Sequence, residues 1–115
     1  MDIEAFWNDV ITQNRDALRA YFNKDAIIRW PCTDEQFTVD RYISVNCDYP
    51  GKWEGEIERI EERDPAIILA GRVYPPDCSA SFHVVSFIRL ENGLIAEMDE
   101  YWAEDGEPPA WRRET

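Results

Sequence analysis

The sequence predicts an α+β domain in which helices lie on one face of an antiparallel sheet. Three observations support this. Apolar residues recur with the helical period from Ile3 to Asn46, and from Trp53 onwards the period moves towards two. Asn92-Gly93 separates two alternating runs and is a strong hairpin signal. A hydrophobic share of 44 %, with five Trp, five Tyr and five Phe, supplies the apolar surface that a folded core needs. At 115 residues the chain is one domain, 1–115, with a core over 1–104 and a tail over 105–115.

Each element follows in turn. Ile3, Phe6, Trp7, Val10 and Ile11 form the stripe of an amphipathic helix. Asn14 is placed to cap a second helix that buries Ala17, Leu18, Tyr21 and Phe22. An extended piece, Ala26 to Trp30, stops at Pro31. Thr38 is an N-cap for a third helix with Val39, Tyr42, Ile43 and Asn46 on one face, and Tyr49-Pro50-Gly51 ends it. In residues 52–63, Trp53, Gly55 and Ile57 alternate with Glu54, Glu56 and Glu58, the pattern of a half-exposed strand. Residues 66–74 are more continuously apolar, and Pro75-Pro76-Asp77 turns the chain into the hairpin of 80–91 and 94–102.

Charge and cysteine usage narrow the function classes. A formal charge of −12 repels phosphate backbones and anionic lipid, which argues against nucleic-acid and membrane-surface binding. No apolar run approaches the ~20 residues of a membrane span, and the acidic, amphipathic start does not resemble a secretory signal. Cys32, Cys47 and Cys78 are widely spaced and odd in number, which suits reduced thiols in a cytoplasm. With a single histidine, they also make a poor metal site, so no metal is expected.

That histidine is His83, in Ser81-Phe82-His83-Val84-Val85-Ser86-Phe87. If Asn92-Gly93 is a two-residue turn, His83 faces Trp102, Val85 faces Glu100 and Phe87 faces Met98. Glu100 then lies diagonally beside the imidazole, a pair suited to acid–base chemistry or to mutual satisfaction in a core. A bulge would exchange the faces beyond its position. The opposite face, with Phe82, Val84, Ile88 and Tyr101, is too apolar for water and is expected to meet a second subunit. Cys32 reads as a small buried apolar residue rather than a nucleophile. Trp111 is expected to dock on its own domain, with the pocket mouth or a second subunit as alternatives.

Three helices, a following antiparallel sheet and the hairpin Arg89-Leu90-Glu91-Asn92-Gly93-Leu94-Ile95 … Asp99-Glu100-Tyr101-Trp102 resemble SnoaL-like proteins of the nuclear transport factor 2-like superfamily. The resemblance implies a cone-shaped, strongly curved sheet with three N-terminal helices on its concave face and a pocket for a small apolar molecule. Ketosteroid isomerases of that superfamily carry an aspartate before a proline, where this chain has Trp30 before Pro31. Their helix-1 tyrosine falls at Phe6-Trp7 and their second acid near Val85 or Ser86, so steroid isomerisation is not expected. Met98, Glu100 and Trp102 match pocket-lining positions, and Trp30, Tyr42 and Trp53 are expected in the same cone beside Cys32. The combined expectation is a dimer joined through the outer sheet face, with His83 as acid or base and Glu100 orienting it. Trp30, Cys32, Tyr42, Trp53, Val85, Met98 and Trp102 are expected around the ligand, with no cofactor. A binding module without chemistry and a protein-interaction adaptor are the alternatives.

Overall fold

Asp2 begins helix α1 (Ile3–Ile11) by accepting a hydrogen bond from the Ala5 amide at 3.0 Å, which satisfies one of the helix's free N–H groups. Ile3, Phe6, Val10 and Ile11 are buried on its inner side. Asn14 precedes the single-turn α2 (Arg15–Leu18), but its side chain donates to Asp9 instead of capping. Thr38 caps α3 (Val39–Asp48) by accepting from the Arg41 amide at 3.2 Å. The computed structural model describes residues 1–113, so positions 114 and 115 of the expected tail lie outside the described residues.

The described residues form six strands: β1 (Phe22–Trp30), β2 (Glu35–Phe37), β3 (Glu54–Arg63), β4 (Ala66–Tyr74), β5 (Phe82–Glu91) and β6 (Leu94–Glu104); β2 is not among the five extended segments that the sequence suggests. They form one open sheet in the order β2-β1-β6-β5-β4-β3. Its pairs are antiparallel except β1–β6, which is parallel, so the sheet is mixed rather than purely antiparallel. The reason lies in the connection. β1 reaches the β3–β6 meander only through the long segment that contains α3, the kind of crossover that parallel neighbours require. α3 also joins the two edge strands, β2 and β3, so it carries the chain across the inner face.

The core lies between that face and the helices, where Leu18, Ile28, Leu69, Val84, Ile95 and Met98 are almost fully buried. Two glycines fix how closely α1 approaches. A Cβ on Gly71 would stand 2.3 Å from the Trp7 ring, and one on Gly55 would stand 2.9 Å from it. The missing side chains are therefore the seat of the indole. The outer face carries an ionic group of Arg29, Arg89, Glu97 and Asp99, with Arg29 3.0 Å from Asp99 and Arg89 3.2 Å from Glu97. Beside it Ile68, Phe87 and Tyr101 remain exposed. Trp111 does not dock on its own domain: it is 83 % exposed, with the Arg112 guanidinium 5.4 Å from its ring centroid.

Gly71→Ala is expected to lower stability by about 1–3 kcal/mol, the usual cost of overfilling a packed site. Combining it with Trp7→Leu should cost less than the sum of the two single changes. Denaturant unfolding of the four proteins measures this, and strictly additive losses would show that Trp7 is not seated on Gly71.

Candidate functional site

At the last hairpin, Asn92 (φ 54°) and Gly93 (φ 78°) both take the left-handed conformation of a type I′ turn. Glu91 faces Leu94 and Leu90 faces Ile95, as expected. The ladder then steps by one residue, Arg89 faces Glu97, and Ala96 is left without a partner. Beyond this bulge every side chain of β6 changes face relative to β5. Val84 faces Trp102, Ser86 faces Glu100, and His83 faces Ala103. The expected pairing of His83 with Glu100 is therefore not made, because the two residues occupy opposite faces of the sheet. Val85 goes to the outer face with His83, while Phe82, Val84, Ser86 and Ile88 turn inward. Charge matching carried the missed signal. The stepped register sets Arg89 against Glu97 and Ile88 against Met98, whereas the unstepped one sets Ile88 against Glu97.

The inner face and the helices enclose a cavity of about 300 Å³, at the small end of ligand sites. Trp30, Trp53, Phe82 and Trp102 wall it, with Glu100 among them and Cys32 at its rim. Cys32 is exposed there rather than buried, as is Cys78 elsewhere. Tyr42 and Met98, 1 % and 0 % exposed, belong to the core and not to the cavity wall. Sequence reasoning missed Phe82, Val10, Ile11 and Val45, which also line the cavity. The helix ends at the rim are tied by two amides. Asn46 Nδ2 donates to the Val10 carbonyl, and Gln13 Nε2 donates to the carbonyls of Asn46 and Tyr49. The Val10 carbonyl, which also accepts from the Gln13 amide, and the carbonyls at the end of α3 are thereby joined.

Glu100 is the chemically distinctive group in this cavity. It is 5 % exposed, yet each of its carboxyl oxygens receives a donor. Ser86 Oγ donates to Oε2 at 2.6 Å, and Trp30 Nε1 donates to Oε1 at 3.1 Å. The Trp102 indole N–H also favours the ionised form, although it lacks the geometry of a formed hydrogen bond and has no other partner. Burial outweighs these donors and holds the Glu100 carboxyl above its ordinary range. Burial, together with the charge of Glu100, pushes the Tyr42 phenol well above its own range.

No protein-family model matches this chain. No curated protein matches it either. Solved structures do. A proposed ketosteroid isomerase from Kribbella flavida DSM 17836 is similar with a TM-score of 0.83 at 21 % identity, over 96 % of this chain and 82 % of that one. An NTF2-like protein of unknown function from Burkholderia xenovorans LB400 reaches 0.82 at 22 %, over 96 % and 86 %. A ketosteroid isomerase-like protein from Catenulispora acidiphila DSM 44928, in complex with trimethylamine, reaches 0.70 at 13 %, over 87 % and 84 %. The chain has the nuclear transport factor 2-like fold. At these identities the likeness carries the fold alone.

On the outside of this nuclear transport factor 2-like cone, His83 has partners of its own. Nδ1 lies 2.5 Å from Asp105 Oδ1, and Nε2 lies 3.2 Å from Glu58 Oε2. Glu58 reaches it from a register shift in β3, where Ile57 and Arg59 face Gly71 and Ala70. The other Asp105 oxygen accepts from Ser81 Oγ, which in turn accepts from Arg72 Nε. The cluster pins the start of the tail to the sheet. Asp105 first, then Glu58, hold the imidazole above its usual range, while Ser81 and His83 hold Asp105 below the usual carboxylate range.

The pH dependence follows from these directions. The contribution of His83 is full below its unfolded value of about 6.5 and fades as pH rises through the raised folded value. The contribution of Asp105 is present above its unfolded value and fades as pH falls through the lowered one. The tail is therefore held most firmly in the mildly acidic to neutral window. Backbone NMR relaxation of residues 105–113 should show mobility increasing towards alkaline pH, and His83→Gln should remove that dependence. The same alkaline transition in the variant would show that the imidazole is not the clamp.

Proposed function

We propose that this chain takes a small, largely apolar molecule into its cone and that Glu100 exchanges a proton with it. The observation that carries this reading is a buried carboxyl in the wall of an aromatic cavity of about 300 Å³. Burial favours its acid form, while Ser86 and Trp30 favour its base form. A carboxyl whose protonation is set by such opposing influences inside a cavity is suited to general acid–base catalysis. Ser86 and Trp30 act as positioning residues, each fixing one carboxyl oxygen. Proton transfer of this kind serves a lyase, an isomerase or a hydrolase. The proposed isomerase and the trimethylamine complex among like-folded structures support a small molecule as the occupant. His83 has no part in this chemistry, because the sheet separates it from the cavity.

The exposed Phe87–Tyr101 pair, packed edge to face at 5.9 Å, supports a second copy on the outer sheet face. Sedimentation should show a dimer that Phe87→Glu converts to monomer, and a monomeric parent protein would end that part of the reading.

Catalysis is tested on carbonyl, hydroxyl and epoxide compounds selected for binding by tryptophan fluorescence. Glu100→Gln should keep the fold and ligand binding while lowering turnover by roughly 100- to 10,000-fold. Unchanged turnover would remove Glu100 from the chemistry. Binding without turnover in either protein would leave a binding module.

A further inference from the structure

We infer that the molecule held against Glu100 is an organic cation, a substituted ammonium whose charge meets the carboxylate while its alkyl groups face Trp30, Trp53, Phe82 and Trp102. This rests on the small-molecule reading above and adds the charge of the occupant.

The surroundings of Glu100 are those of an anion that lacks a counter-charge. Ser86 Oγ–H and Trp30 Nε1–H each donate to a different carboxyl oxygen, and the Trp102 N–H stands unpartnered nearby. All three are neutral donors. Among the described residues lining the cavity there is no lysine, arginine or histidine. The second ionisable carboxyl there, Glu35 at the rim, adds to the negative potential. An anionic ligand would face both acids in a chain of net charge −12. An ammonium supplies the missing positive charge.

The walls fit the rest of such a molecule. Trp30 packs edge to face with Trp102 at 6.3 Å between centroids, and Trp53 packs against Phe82 at 6.0 Å. Aromatic faces attract cations through their quadrupole and bury alkyl groups at the same time, and quaternary ammonium groups are commonly bound this way. Glu100, held by its Ser86 and Trp30 donors, offers one charged point among these walls, which suits a small molecule charged at one end.

Ionisation of Glu100 is then linked to binding. Burial raises its pKa, so a permanent cation binds with loss of the carboxyl proton to solvent, and its affinity rises with pH. The other ionisable groups on this side are Tyr42 from α3, Tyr49 at its C-terminal end, and Cys32 and Glu35 at the rim; α1 presents Val10 and Ile11, and β5 presents Ser86 and Phe82. His83 lies on the opposite face of the sheet.

Choline and its uncharged carbon isostere dimethylbutanol separate the possibilities, with binding followed by tryptophan fluorescence and calorimetry. The wild type is expected to prefer choline by about tenfold or more. That preference should grow as pH rises through the Glu100 transition and disappear in Glu100→Gln. If Glu100→Gln does not fold, Trp53→Leu takes its place, and it should weaken choline more than dimethylbutanol. Equal binding of both probes by the wild type would overturn the cation assignment and leave the small-molecule reading standing. Failure of both probes to bind would overturn the two together.

Discussion

Between Arg89 and Leu90 the β5–β6 ladder steps by one residue, and this step sets the two surfaces of the protein. Because side chains alternate along a strand, one unpaired residue at Ala96 sends Met98, Glu100 and Trp102 to the inner face with Val84, Ser86 and Ile88. The same step leaves Glu97 and Asp99 outside, where they meet Arg89 and Arg29. Without it, Glu100 and His83 would share one face of the hairpin. The cavity, the ion pairs of the outer face and the clamp on the tail all depend on it.

Glu100 owes its character to competing terms within this geometry. Removing a carboxylate from water costs several kcal/mol unless it is compensated, and neutral donors on each oxygen offset only part of that cost. The result is a group whose charge is sensitive to whatever shares its cavity. The cavity exists because the helices are held at a fixed distance. Gly55 and Gly71 let Trp7 settle on the sheet at one side, and the Gln13–Asn46 amide bridges join the ends of α1 and α3 above the opening. Close packing on one flank leaves unfilled space on the other.

The sheet also separates two sets of ionisable groups that the linear sequence interleaves. Glu100 works in a desolvated, aromatic setting, where burial dominates. His83, Asp105 and Glu58 sit in partly exposed positions, where side-chain hydrogen bonds dominate over the opposing effect of burial. The inner group is suited to a ligand, the outer one to holding the chain's own tail.

Periodicity and turn chemistry located the three helices, five of the six strands and the Asn92-Gly93 turn, because amphipathic stripes, N-caps and left-handed turn residues are local properties; the three-residue β2 is too short to show a period. The presence of Trp30, Trp53, Trp102 and Glu100 on one cavity was likewise within reach, through the resemblance of the late hairpin. The parallel β1–β6 pair and the partners of His83 were not, since both depend on contacts far apart along the chain. The histidine's position shows the division most clearly. Its strand was legible in seven residues, but whether it shares a face with Glu100 depended on a bulge thirteen residues away, where one step of the ladder turned the end of β6 over. The sequence by itself determined which elements form and which residues bear chemistry; tertiary pairing decided which of those residues meet, because strand register is fixed by side-chain matching between strands and not by either strand alone.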